Sequence, residues 1–345
     1  MNIFLNRSIF SKTIRSVYQT SKGRAWELSL GPIQISIILL LSGCASFPSA
    51  QKPLPSAGPV VAKIVLLAPE MHRFGELGPF AVSEQLEREV TMNLEKIIVV
   101  DHYAAQTQDK LPIVIICHGN FSGKNAHRNQ ARRLASWGFH VVTLELPNRE
   151  QWVQNGEVVR RFSEMVHNVP HLLGANVDTT RIVLVGHSFG GSASILAMGH
   201  GAPVIGAILL DPAVVHDNVI SAMKKVDLPI VLLGSDPKLF AARGRKKFSE
   251  NMNGEVLEIS VPKSTHDDAQ GPSMYSRSVL GVDPYTSNDR QKVFGALLTV
   301  GVIGMASSGT LDFARQIFFR ESQLGSIKDA HYRSSRTAFL DTLSK

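Results

Sequence analysis

The 345 residues carry 44% hydrophobic side chains and a formal charge of +7, which gives a packed core and excludes a disordered chain. Five cations (Arg7, Lys12, Arg15, Lys22, Arg24) and one acid (Glu27) fall in the first 43 residues, so the remainder carries only +3. With no basic stripe interleaved with aromatics, nothing points to a nucleic-acid partner, and two cysteines cannot build a disulfide framework.

The basic stretch leads into the apolar run 33–41 (IQISIILLL) and then Leu41-Ser42-Gly43-Cys44. The run is too short to span a bilayer comfortably and has the proportions of a signal-peptide core. The tetrapeptide resembles a bacterial lipobox. That resemblance implies cleavage before Cys44, acylation of its thiol, and stable membrane anchoring by several acyl chains. Residues 1–43 are therefore expected to be a lipoprotein signal peptide, placing the remainder in a bacterial cell envelope. Ala45 resembles the residue that directs such proteins to the outer membrane where the host has two membranes. Residues 44–60, rich in proline and serine, predict an extended tether.

From residue 61, apolar β-rich runs recur at 62–68, 96–101, 112–119, 139–147, 181–186, 204–211, 229–236 and 255–261. Their near-continuous hydrophobicity is that of strands buried on both faces. Helical stretches fall at 124–137, 158–173, 188–200 and 240–251. The apolar segment 293–306 reads as a helix packed on the sheet rather than a membrane span, with a second helix at 311–319. This alternation predicts one α/β domain over 61–320, a doubly wound, mostly parallel sheet of about eight strands with helices on both faces. Residues 321–345 read as a polar tail. Ligands of such a sheet sit beyond the carboxyl ends of the strands.

Gly186-His187-Ser188-Phe189-Gly190 stands between a β-branched run and a small-residue helical stretch. A serine on so sharp a turn projects its hydroxyl clear of the backbone, and the flanking glycines remove Cβ atoms that would clash. Serine is a weak nucleophile until a base takes its proton and an acid fixes the tautomer of that base. His266, after the last apolar run, is the candidate base. Asp211 and Asp236, each closing a strand, are alternative acids. The Phe189 N–H and the Asn120 N–H, with Phe121 as the substitute for Asn120, are the candidate oxyanion donors. His118 and His187 read as packed supports. His118, His127 and the His266-Asp267-Asp268 run lack metal-ligand spacing, so neither a metal nor a cofactor is expected. Cys117 reads as a buried free thiol.

These features resemble the α/β-hydrolase group that contains platelet-activating-factor acetylhydrolases, bacterial polyester hydrolases and dienelactone hydrolase-like proteins. The carriers are HGN at 118–120, LASWGFHVV at 134–142, GHSFGG at 186–191, AILLDP at 207–212 and the late His266. The resemblance implies the α/β-hydrolase fold and carboxylic ester hydrolysis. Its acetylhydrolase members match Asp211 as the acid and its polyester hydrolases match Asp236; the first is preferred. True dienelactone hydrolases use cysteine where Ser188 stands, which counts against a lactone substrate. The expected function is that of an envelope-anchored serine esterase acting on an ester, lipid-like or soluble. The alternatives are an acyltransferase using the same acyl-serine and an inactive binding lipoprotein of the same fold.

Overall fold

The computed structural model describes residues 71–93, 96–236, 241–270, 287–325 and 327–334. The expected signal peptide, Cys44 and its tether, the run at 62–68 and most of the loop at 274–288 lie outside the described residues.

Nine strands form one sheet: β1 (Val82–Asn93), β2 (Lys96–Ala105), β3 (Leu111–Cys117), β4 (His140–Leu144), β5 (Val177–His187), β6 (Gly206–Leu210), β7 (Ile230–Gly234), β8 (Val256–Ser260) and β9 (Lys328–Arg333). Their order is β1-β2-β4-β3-β5-β6-β7-β8-β9. The six from β4 to β8 run parallel, while β1, β2 and β9 join antiparallel at the edges. The helices are α1 (Arg128–Ser136), α2 (Trp152–Asn168), α3 (Phe189–Gly199), α4 (Asp217–Met223), α5 (Ala241–Asn251), α6 (Asn288–Ser308) and α7 (Asp312–Gln323).

The continuous hydrophobicity of the parallel strands serves two cores at once. Along β3, Ile113, Ile115 and Cys117 pack with residues of α2 and α3 on one face, while Val114 and Ile116 pack with α1 and α6 on the other. The period of two in side-chain direction makes both faces apolar, and helices cover both. Cys117 is buried and unpaired, and burial pushes its thiol up to about 12.

Helix α6 is long and apolar enough to cross a membrane by length and composition alone. Residues 294–306 of it are buried against the sheet and α7, so it is a core helix, as the sequence predicts for 293–306.

Two edge strands escape the sequence reading. Strand β1 has a polar, only partly buried sequence, without the apolar run that betrays a central strand. Strand β9 lies within the stretch expected to be a polar tail and pairs antiparallel with β8, placing His331 opposite Glu258. The domain therefore extends beyond residue 320. An edge strand needs only one paired side, so its sequence can be polar.

The strand order turns at β3. Strand β4 lies on one side and β5 on the other, and successive crossovers depart in opposite directions. Such a switch opens a crevice at the carboxyl ends of the strands, where the turns after β3 and β5 meet.

Candidate active site

One residue, Ser188, connects β5 to α3. Its φ of 52° and ψ of −119° are unusual for a residue with a Cβ. The turn persists because its backbone is fully engaged: Ser188 N–H donates to Leu210 O at 3.0 Å, and its carbonyl accepts from Gly191 and Ala213, both at 3.0 Å. The glycines around it are steric necessities. A Cβ on Gly190 would lie 2.2 Å from Cys117 O, one on Gly186 2.6 Å from Gly190 O, and one on Gly191 2.7 Å from Pro212 Cβ. Phe189 is the first helical residue, so its N–H has no carbonyl one turn below it.

Asp211 follows β6 in the next turn, also at positive φ (40°). Its buried carboxylate accepts the His266 Nδ1–H at Oδ2 (2.7 Å), the Ser235 hydroxyl at Oδ2 (2.8 Å) and the Ser235 N–H at Oδ1 (3.0 Å). Arg245 approaches Oδ1 at 3.4 Å. Burial alone would raise this carboxyl, but the His266 interaction and the Ser235 bonds hold it down to about 2. Burial likewise opposes charging of His266. The Asp211 hydrogen bond and charge, reinforced by Asp267, leave its imidazole above the ordinary histidine value. With Nδ1 donating to Asp211, Nε2 is the basic nitrogen.

Asp236 occupies another place. Its Oδ2 accepts the Lys263 N–H at 2.8 Å and its own N–H donates to Ser264 O at 3.2 Å. It therefore braces the β8 loop whose next turn, His266–Ala269, carries the histidine.

Two histidines serve as supports. His187 donates from Nε2 to His266 O at 3.2 Å, with ring centroids 4.6 Å apart. His118 donates from Nδ1 to Gly119 O (2.8 Å) and accepts the Leu146 N–H at Nε2 (3.0 Å), which fixes a neutral tautomer. Burial lowers the pKa of both rings.

The turn after β3 lies directly against the serine: a Cβ on Gly119 would fall 2.8 Å from Ser188 Cβ. Asn120 accepts the Trp152 Nε1–H at Oδ1 (3.3 Å), and Trp152 meets the Phe189 ring edge-on at 5.4 Å. Phe121 has a φ of 54° and is exposed. Lys124 ends this turn with Nζ on Asp101 Oδ1 (2.8 Å) and on Glu87, while its N–H donates to Glu145 (3.1 Å). Ser122 donates to Gln270 at 3.1 Å, tying the turn to the segment that carries His266.

The structure thus brings Ser188, His266, Asp211, Asn120 and Phe189 together at the strand ends and gives Asp236 a bracing position. Sequence reasoning missed Ser235, Arg245 and Lys124. Arg245 reaches Asp211 only because Gly234 lacks a Cβ, which would sit 1.5 Å from its Nη1. That approach spans two elements and leaves no local sequence pattern.

Residues 114–311 match a family model described as the alpha/beta hydrolase family. No curated protein matches the chain.

Proposed function

The chain belongs to the alpha/beta hydrolase family, and on that premise we propose that it cleaves carboxylic esters through an acyl-serine intermediate. Ser188 Oγ attacks the ester carbonyl as His266 Nε2 takes its proton. The oxyanion of the tetrahedral intermediate lies on the N–H groups of Phe189 and Asn120. Its collapse breaks the ester C–O bond, and His266 returns the proton to the leaving alcohol. Water then repeats the sequence on the acyl-serine, releasing the acid and free Ser188. Asp211 holds the imidazole in one tautomer and stabilises its charged form, and Asp236 braces the loop.

The observation that carries this reading is the pairing of a strained serine turn at φ 52° with a histidine held 2.7 Å from a buried carboxylate. Strain of this kind, sustained by surrounding hydrogen bonds, gathers at functional sites. The Asp211 partnership is that implied by resemblance to the acetylhydrolases. Trp152 and Phe189 offer an apolar wall for an acyl or alcohol group. The lipobox-like segment supports a further part of the proposal, anchoring in the bacterial envelope through Cys44; loss of palmitate-analogue incorporation in Cys44→Ala would support it.

The test is labelling of the full chain with a fluorophosphonate probe, followed by peptide mapping beside a heat-denatured control. An adduct on Ser188, absent after denaturation and absent in Ser188→Ala, supports an activated serine, and an ester panel then defines the substrate. Folded protein without an adduct overturns this reading and favours a binding role for the same fold.

A further inference from the structure

Between α1 and α6 lies a cavity of about 230 Å³, whose wall includes Asn129, Gln130, Arg133, Gln270, Gln291 and Lys292. No carboxylate stands among the described residues that line it. The Arg133 side chain makes no hydrogen bond or ion pair with any described residue. Its Nε and the Nε2 of Gln291 are both shielded from solvent and lack hydrogen-bond partners. Glu76, whose charge Arg133 feels, is an exposed carboxylate that accepts from Lys292 Nζ at 3.0 Å.

Gly295 of α6 leaves room for this guanidinium: a Cβ there would fall 1.9 Å from Arg133 Nη1, so alanine, the better helix former, would turn the side chain aside. A half-buried cation whose neighbouring carboxylate, Glu76, is exposed and paired with Lys292 is poorly compensated, as are shielded N–H groups without acceptors. Both costs fall if an oxyanion enters and the flexible Arg133 and Gln291 side chains turn their N–H groups toward it. The guanidinium fork matches carboxylate and phosphate oxygens, and the amino end of α6, whose first residue Asn288 also lines the cavity, favours negative charge.

We propose that this cavity is a binding site for a small oxyanion, a phosphate or carboxylate group, held by Arg133 with Gln291 Nε2 as a second donor. The site is separate from Ser188 but shares its supports. Gln130 accepts from His127 at 2.6 Å and donates to Ala269 O at 3.0 Å, in the turn that carries His266. Gln270 accepts from Ser122 in the turn after β3. An occupant therefore stiffens both turns.

The test is thermal unfolding of the full chain against inorganic phosphate and against acetate, with sodium chloride holding ionic strength constant. Saturable stabilisation by either anion is expected, and the anion that saturates identifies the group recognised. Arg133→Met is expected to fold, having lost a half-buried charge without an ion-pair partner among the described residues, and to bind that anion about tenfold more weakly or worse, as loss of a charged hydrogen-bond donor implies. No saturable effect of either anion on the native chain overturns the proposal, as does an effect undiminished in Arg133→Met. If that variant fails to fold, Gln291→Leu takes its place: weakened binding supports the site and unchanged binding overturns it.

Discussion

Asp236 accepts the backbone N–H of Lys263 at 2.8 Å, three residues ahead of His266 and at a residue whose φ is 57°. It thus holds a strained loop, whereas Asp211 holds the imidazole itself at 2.7 Å. Exchange of each carboxylate should separate these roles. Asp211→Asn should lower kcat on an ester by on the order of 10⁴-fold, the scale for losing the tautomer-fixing acid in such a site. Asp236→Ala should leave most of the turnover and cost about 1 kcal/mol of stability, the scale of a lost side-chain to backbone bond. Paired rate and urea-melt measurements check both, and the reverse ranking would exchange the two assignments.

The acid should also govern the pH profile. A general base must be neutral, so kcat/KM should rise with pH through a midpoint above 6.5, because Asp211 and Asp267 outweigh burial in raising His266. The stability linkage has the opposite sign: the contribution of a raised histidine is present below the unfolded value and is lost as pH rises through the folded one. Asp211→Asn should move the midpoint of its residual activity downward, measured as kcat/KM across pH 5 to 9, roughly the range a perturbed histidine covers.

Acid should unfold this domain early. His102 is pushed down to about 3 by burial and by His140, and His127 to about 4 mainly by burial. His102 and His140 face each other at 3.1 Å (Nε2 to Nδ1), and His140 is bonded onward to Asn176 rather than to a carboxylate. Groups kept neutral in the fold give full stability above their unfolded value of 6.5 and lose it as pH falls toward the folded value. Each contributes a slope of about 1.4 kcal/mol per pH unit within that window. Denaturant melts between pH 7 and 4 should show His102→Gln with a shallower decline than the native chain.

The serine turn stores strain that its replacement releases. Ser188→Gly should abolish labelling and turnover while raising stability by about 0.5–1 kcal/mol, because glycine adopts a positive φ without a Cβ penalty. A melt at or below that of the native chain would show that the turn is not strained.

Gly119→Ala tests the crevice from the other side. Its methyl group would meet Ser188 Cβ at 2.8 Å and His187 Nδ1 at 3.0 Å, displacing the turn that carries Asn120. Turnover should fall by about a hundredfold or more, the scale of one lost oxyanion donor, with little change in KM. A rise confined to KM would assign the turn to ground-state binding.

The sequence by itself determined the parallel sheet, its helical cover and the serine turn. These rest on patterns local to the chain: continuous β-branched runs at β3 to β8, a glycine on either side of Ser188, and a small-residue helix directly after it. It also narrowed the candidate acid to two strand ends, where Asp211 and Asp236 occupy the same kind of position in their runs and the preference for Asp211 came from family resemblance rather than from the runs themselves. Tertiary structure decided which of the two meets His266, because the answer depends on how β6, β7 and the β8 loop lie side by side. The same holds for Arg245 against Gly234, Arg133 against Gly295, and the polar edge strands β1 and β9. Each is fixed by contacts between residues distant in sequence, where neither hydrophobic period nor local motif carries a signal.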